Sequence, residues 1–241
     1  MLGLILAGGE GSRLAADGIS TPKPLVAVAG RPQVVRLVEA LRAADCSTIV
    51  VLVRRQHAPD VYRAIEATRL PGVRVEPCLT PSSLHTLAAG LSELPPGEVL
   101  CTMVDTVMLP SEWGRVAAAV ECGLGAGREI MLAVTGDVDD ESPLWVRRNE
   151  AGDVTWLGPN RVSPACVTGG VYGLSQAARE LVSNAVAQGR ERMRHFLAWA
   201  VEQGTPVGTI DVPRIIDLDR RRDLEHATTW LQATSAGVIR S

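Results

Sequence analysis

From Leu2 the chain reads LGLILAG, an uninterrupted apolar run of strand length that ends on glycine. Such a run, without polar alternation, is the pattern of a strand buried on both faces. PQVVRLVEALRAAD from Pro32 then places apolar residues three and four apart, the helical period, and STIVVLV from Ser47 returns to a buried strand. The succession continues with a helix over Ala58 to Arg69, a strand over Val73 to Pro77, a helix over Ser82 to Leu94 and a strand over Glu98 to Val104. Strands alternating with helices in this way predict β-α-β units and parallel pairing.

The second half changes character. A helix starts near Ser111, and EIMLAVTG from Glu129 reads as a strand. PLWVRRNEAGDVTWLG reads as two short strands around a Glu-Ala-Gly-Asp turn, a hairpin by its turn chemistry. ACVTGGVYGL from Ala165 is another strand, followed by helices over Gln176 to Gln188 and Arg190 to Gln203, a strand over Pro206 to Val212 and a last helix from Arg221 to Gln232. These elements predict one Rossmann-like α/β domain. Its central sheet is mixed but mostly parallel and flanked by helices, with a small β insertion near the ligand-binding edge.

Composition mainly excludes partners. The 241 residues, 46% of them apolar, suffice for one substantial core. A net charge of -3 with scattered arginines gives no field for a nucleic acid, so none is expected. No apolar segment approaches the roughly 18 residues of a membrane span, and no basic stretch precedes an apolar run at the amino terminus. Membrane association is therefore not expected, and a cytoplasmic setting fits. The cysteines (Cys46, Cys78, Cys101, Cys122, Cys166) are odd in number and sit mostly inside apolar runs. They are expected to be small buried apolar residues, not disulfides or zinc ligands. His57, His85, His195 and His226 show no metal spacing and fall in helices.

One position stands out chemically: Lys23 is the single lysine among 24 basic side chains. It follows LAGGEGSR, where Gly8, Gly9 and Gly11 directly after a strand permit positive φ and a close approach of backbone N–H groups to an anion. Arg13 adds a planar fork of donors, Lys23 a compact charge, and Pro22 and Pro24 stiffen the backbone around it. The turn is not a dinucleotide fingerprint, since Leu14 stands where a third glycine would be needed, and it lacks Walker spacing. A plain tight βα connection is the other reading of the glycines; Arg13 and the solitary Lys23 favour a pyrophosphate cradle. Asp105 falls just past a strand's carboxyl end, the edge where open α/β sheets bind ligands.

LAGGEGSRL followed by TPKPLVAVAGRPQVVRLVEAL resembles the amino-terminal signature of the sugar-1-phosphate nucleotidylyltransferases, the nucleotide-sugar pyrophosphorylases. The Arg13 to Lys23 interval matches the sugar-type members rather than the shorter interval of molybdenum-cofactor and isoprenoid cytidylyltransferases. Weaker likenesses follow. EPCLTPSSLHTLAAGLSEL from Glu76 resembles the segment that closes over the nucleobase, with Ser82, Ser83 and Leu84 where Gly-Thr-Ala is common. TMVDTVMLP resembles the strand ending in a metal-binding aspartate, VTGGVYGLS the N-x-G-I-Y stretch that contacts the sugar, and IIDLDRRRDLEHA the closing D-x-D-T-P-E-D-L motif.

The resemblance implies Mg²⁺-dependent transfer of a nucleotidyl group from an NTP to a sugar 1-phosphate, giving an NDP-sugar and pyrophosphate. It implies catalytic roles for Arg13 and Lys23, metal ligation by Asp105 and Asp219 with Asp217 beside them, and nucleotide contacts from Leu6, Ala7, Gly8, Gly9, Gly11, Ser12 and Ser83. Thr168, Gly170 and Tyr172 would meet the acceptor. Residues 1–110 become the nucleotide-binding half and 111–241 the acceptor half of a single domain, and a homo-oligomer is left open. Two departures concern the acceptor: Ala16-Asp17-Gly18 replaces the usual P-L-T, and no E-K-P motif is found near Trp156 to Pro159.

Each aspartate also has a structural reading. Asp105 could cap the helix near Ser111, Asp219 could cap the last helix, and Asp223 suits a first-turn position facing the macrodipole. Arg220 to Arg222 and Asp137 to Asp140 read as solvated faces. Three alternatives stay open: a cytidylyltransferase acting on a polyol or amino-alcohol phosphate such as inositol phosphate or phosphocholine, a GT-A-like glycosyltransferase suggested by Asp-x-Asp at 217–219 and 137–139, and a non-catalytic nucleotide-sensing domain.

Overall fold

The computed structural model describes residues 1–139, 142–164, 166–235 and 237. Leu2–Ala7 (β1) opens the chain and Ser12–Ala16 (α1) follows the glycine turn. Ala27–Val28 (β2) and Arg31–Pro32 (β3) form a two-stranded ribbon. Then come Gln33–Ala43 (α2), Ile49–Arg54 (β4), Ala58–Glu66 (α3), Val73–Cys78 (β5), Ser83–Ser92 (α4) and Val99–Met103 (β6). Thr106–Val107 (β7), Pro110–Gly125 (α5), Ile130–Thr135 (β8), Trp145–Arg148 (β9) and Val154–Gly158 (β10) follow. Val167–Leu174 (β11), Gln176–Ala187 (α6), Met193–Glu202 (α7), Val207–Asp211 (β12), Ile216–Asp217 (β13) and Arg221–Ser235 (α8) complete it.

β1 lies between β4 and β6, with β5 beyond β4, and all four run parallel. β11 enters antiparallel between β6 and β8, and β12 pairs parallel with β8. The start of β11 also meets β9, which carries the antiparallel β9–β10 hairpin. The mostly parallel mixed sheet with a β insertion is thus the predicted one. Because β1, β4, β5 and β6 point the same way, the turns after them gather at one edge, the edge at which open α/β sheets bind ligands.

The apolar strands fill both faces by alternation. Leu4 and Leu6 of β1, with Val50 and Leu52 of β4, pack under α4, α6 and α7; Ile5 and Ala7, with Ile49, Val51 and Val53, pack under α2, α3 and α5. The side-chain period of two sends successive residues to opposite layers, which is why both registers had to be apolar. A smaller cluster seats α8 through Ala227 and Leu231, together with Leu218 just before it, against Val28 and Val107.

Boundaries moved by a few residues at helix ends; α3, for example, stops at Glu66 rather than Arg69. α1 and the two-residue ladders β2–β3 and β7–β13 were not expected, since they are too short to show a period. Ala165, the expected start of β11, and Asp140 lie outside the described residues. Cys46, Cys78, Cys101 and Cys166 are buried as expected, and burial pushes the Cys46 thiol up to about 11; Cys122 is exposed on α5, against expectation. Among the described residues no helix is long and apolar enough to cross a membrane.

Candidate active site

After β1 the chain turns over Gly8 to Gly11, and here one expectation needs correction: the three glycines serve different purposes. Gly11 alone of the three adopts positive φ, at 65°, as the residue before α1. A Cβ on Gly8 would lie 2.9 Å from Thr86 Oγ1, so Gly8 allows β1 to meet α4 closely. Gly9 has nothing within 4 Å of a would-be Cβ and faces open space.

Four charged side chains from distant parts of the sequence meet beside this turn. Arg13 projects from α1, and Lys23 begins a single 3₁₀ turn, Lys23–Leu25, framed by Pro22 and Pro24. Asp105 lies two residues past β6, and Asp219 two residues before α8. The Lys23 ammonium donates to Asp105 Oδ2 and to Asp219 Oδ1, each at 2.9 Å, and the Arg13 guanidinium also binds Asp219. Burial alone would lower the Lys23 pKa, but Asp105 and Asp219 outweigh it and hold the ammonium charged above its ordinary range. For Asp219 burial works upward, and Lys23 and Arg13 prevail, keeping its carboxyl below the usual carboxylate range.

The cap readings of these aspartates fall away. α5 begins at Pro110 with Leu109 before it, too far along for Asp105 to cap it. The Asp219 carboxylate engages Lys23 and Arg13, while the backbone N–H groups of Asp219 and Arg220 donate to Asp223 Oδ2 at 3.1 and 2.7 Å. Asp223, a first-turn residue as expected, therefore also fixes the loop that carries Asp219. Asp17 adds a second brace by accepting the backbone N–H of Arg221 at 3.0 Å. The arginine run at 220–222 is thus partly engaged in holding the loop and is not only a solvated face.

Two recesses include residues of this cluster, and another adjoins one of them. A cavity of about 580 Å³ runs between the glycine turn and the start of α4, lined among others by Leu6, Gly8, Gly9, Ser83 and Thr86. A cleft of about 140 Å³ is formed by Gly11, Ser12, Arg13, Leu14, Lys23 and Asp219. A third, of about 200 Å³, includes Asp105, Thr168, Gly170, Tyr172, Arg192 and Arg194 in its lining, together with Asp217. Ser83 and Met103 line both the first and the third, so these two share a wall. The Ala7 side chain packs into the opposite core layer, so a contact with a ligand would have to come from its main chain.

Gly170 in the third cleft is dictated by packing as well as by any ligand. Its φ is 73°, its would-be Cβ would lie 2.3 Å from Thr106 Oγ1, and it sits where the β11–β8 register shifts. The Thr106 hydroxyl donates to the Gly169 carbonyl at 3.2 Å, locking this bulge onto β7 next to Asp105. Tyr172 is buried, and burial with nearby Asp217 raises its pKa, so its hydroxyl stays neutral.

The structure brings Arg13, Lys23, Asp105 and Asp219 into contact, and Glu10, Arg54, Thr80, Thr86, Arg192 and Arg194, which the sequence did not single out, join the linings. Arg54 ends a parallel strand at the ligand edge, a readable signal. Arg192 and Arg194 stand at the start of a helix in an unremarkable ERMR stretch and carried none. Among the described residues no group of three or more His, Cys, Asp or Glu converges to hold a metal ion. The paired carboxylates of Asp105 and Asp219 are nevertheless hard oxygen donors that fit Mg²⁺, which commonly takes one or two carboxylates and fills its other positions with phosphate oxygens and water.

A family model described as a MobA-like NTP transferase domain matches residues 3–202. Mannose-1-phosphate guanyltransferase of Pichia angusta is 46% identical over 61 residues, 25% of this chain and 16% of that protein. The bifunctional protein GlmU of Rhizobium leguminosarum is 30% identical over 136 residues, 54% of this chain and 28% of that protein. The chain therefore spans less than a third of the length of the curated relatives it matches. In three dimensions it is similar to an inositol-1-phosphate CTP transferase from T. maritima, with a TM-score of 0.74, 17% identity and 95% of each chain covered. It is similar also to a Bacillus anthracis protein assigned as a glucose-1-phosphate thymidylyltransferase, with a TM-score of 0.78, 18% identity, and 96% and 95% of the chains covered. At such identities these two likenesses speak for the fold alone. The family match takes in the glycine turn, Lys23 and Asp105 and ends before Asp219, which the fold brings back to Lys23. With residues 3–202 of 241 matched and the basic turn facing its paired aspartates, the chain belongs to the MobA-like NTP transferase domain family.

Proposed function

We propose that the protein transfers a nucleotidyl group from an NTP to a sugar 1-phosphate, releasing pyrophosphate and an NDP-sugar. One observation carries the reading: Lys23 bridges Asp105 and Asp219 at 2.9 Å each, joining residues that line the cleft beside the glycine turn to one that lines the cleft beside β11. Nucleotidyl transfer joins two polyanions, so the protein's task is alignment and charge neutralisation. In this reading residues 1–110 hold the nucleotide, its base in the cavity near Leu6, Ala7, Gly8 and Ser83. Gly9, Gly11, Ser12 and Arg13 receive the phosphates that leave. Residues 111–241 hold the acceptor through Thr168, Gly170 and Tyr172, although Asp219 of this half works at the phosphate end.

The acceptor's phosphate oxygen attacks the α-phosphorus in line, and Lys23 screens the two phosphates pressed together. Arg13 and the turn's N–H groups stabilise the departing pyrophosphate. Asp105 and Asp219 would hold Mg²⁺, which when bound supplies positive charge at the α-phosphate. The cation missing from an E-K-P motif has local substitutes in Arg192 and Arg194, which line the acceptor cleft. NTP and a phosphorylated small molecule are the expected partners, and the cytoplasm is the setting we favour.

A polyol or amino-alcohol phosphate acceptor with CTP is the second reading: the inositol-1-phosphate CTP transferase shares the fold, and both departures from the sugar-type motifs, at Ala16-Asp17-Gly18 and at the missing E-K-P, concern the acceptor. The Asp-x-Asp segment at 137–139 does not favour a glycosyltransferase, since Arg214 engages Asp137; the one at 217–219 would serve either reaction, and release of pyrophosphate separates the two. Incubating the enzyme and Mg²⁺ with each of four NTPs and a panel of sugar 1-phosphates, inositol phosphate and phosphocholine, with products identified by mass, separates the readings. An NDP-sugar supports the first; a CDP-alcohol alone would replace it with the second.

A further inference from the structure

We infer that Arg54 is a nucleotide-binding residue that contacts the triphosphate, and that Glu10 is its resting counter-ion, exchanged for phosphate when the nucleotide enters. The inference rests on the functional reading above and extends it to two residues outside the Lys23 cluster.

Glu10 lies between Gly9 and Gly11, inside the turn that would approach the phosphates, and with Arg54 it lines the large cavity. Arg54 is the last residue of β4, at the same sheet edge as the turn. Its two terminal nitrogens, Nη1 and Nη2, both donate to Glu10 Oε1, at 3.1 and 2.9 Å. The exposures are unequal: the Arg54 side chain is 22% exposed, the Glu10 side chain 72%.

Three consequences follow. A carboxylate within a phosphate-binding turn repels a triphosphate, so its charge must be neutralised or moved away when the ligand binds. Of the two partners Glu10 is the one free to swing out, because solvent surrounds it and Arg54 is anchored at the strand end. The exchange is also favourable in geometry. Two donors converging on one carboxylate oxygen do not use the guanidinium fork fully, whereas phosphate offers it two oxygens side by side. An ion pair with one partner this exposed costs little to break.

The test is a titration of folded wild-type protein, Glu10→Gln, Arg54→Ala and the double variant, each with NTP and separately with inorganic triphosphate, in Mg²⁺. Arg54→Ala should weaken binding of both ligands about 10-fold or more, the scale of a lost charge-assisted hydrogen bond. Glu10→Gln should tighten both by about two- to fivefold, the scale of an exposed ion pair removed. The double variant should behave as Arg54→Ala. Weaker binding in both single variants would make the pair a strut of the loop and overturn the inference. An Arg54→Ala effect on NTP but not on inorganic triphosphate would move Arg54 to the nucleoside and overturn it too. If wild-type protein bound neither ligand, the functional reading would fall with it; binding by wild type with unchanged variants would remove this inference alone.

Discussion

The two ends of the proposed site, one assigned to the phosphates and one to the acceptor, are built by different means. At the phosphate end Arg13, Lys23, Asp105 and Asp219 hold one another through opposite charges, and the backbone serves to deliver them. At the acceptor end Gly170 owes its place to a bulge in β11 against Thr106, and Tyr172 to burial in the sheet. The first end depends on the kind of residue at a position, the second on the shape of the chain. Substitutions should therefore damage them differently: loss of charge at the phosphate end should cost turnover, and added volume at the acceptor end should cost stability and acceptor binding.

The largest expected effect is at Lys23. Lys23→Ala should lower turnover by about 10² to 10³, the scale for removing one preorganised charge-stabilising group, with the folded structure retained by circular dichroism. Asp105→Ala should fall in the same range. Near-wild-type rates in both would erase the contrast between the two ends.

Gly170→Ala should act the other way. A side chain there meets Thr106 Oγ1 and must also tolerate φ of 73°, a combination costing about 1–3 kcal/mol of stability in thermal or denaturant unfolding. The surviving folded enzyme should show a raised KM for the acceptor with NTP affinity little changed. Equal losses for both substrates would mean that the β11 bulge supports the whole site.

A smaller, pH-dependent effect sharpens the electrostatic side. The folded-state pKa of Asp219 is depressed, so its ionisation stabilises the fold above the unfolded carboxyl value of about 3.9, and that stabilisation is lost as pH falls through the lower folded value. The stability gap between wild type and Asp219→Asn should be constant from about pH 5 to 8 and close in more acid solution. Lys23 has the opposite sign: its raised pKa stabilises fully below the unfolded lysine value and is lost only as pH rises through the folded one. A gap that widens toward acid would contradict the ion-pair description. Smallest of all, Cys122→Ser on the exposed face of α5 should change stability by no more than about 0.5 kcal/mol.

The same contrast explains what could be read in advance. The fold was legible because apolar runs of strand length and helical periods alternate without interruption, and the two buried registers of β1 and β4 leave no other arrangement for them. Lys23 and Asp105 were legible because they are chemically unusual where they stand, a lone lysine in an arginine-rich chain and an acid at the end of a buried strand, and Arg13 because it directly follows the glycine turn. Asp219 was legible through its motif alone, since nothing local predicts that α8 brings it back to Lys23. Illegible were the features that exist only after folding. The different duties of Gly8, Gly9 and Gly11, the Asp223 and Asp17 braces on the Asp219 loop, and the arrival of Arg192 and Arg194 from α7 depend on contacts between segments far apart in sequence.

The central claim is that the Lys23, Asp105 and Asp219 cluster is where a triphosphate is cleaved. Acceptor-dependent pyrophosphate release, measured for wild type and Lys23→Ala with the best NTP and phosphorylated acceptor, tests it most directly. The account predicts steady release by wild type only when both substrates are present, and a rate about 10² to 10³ lower in the variant. Release that persists at the wild-type rate without Lys23, or none from wild type with any NTP and acceptor, would contradict it.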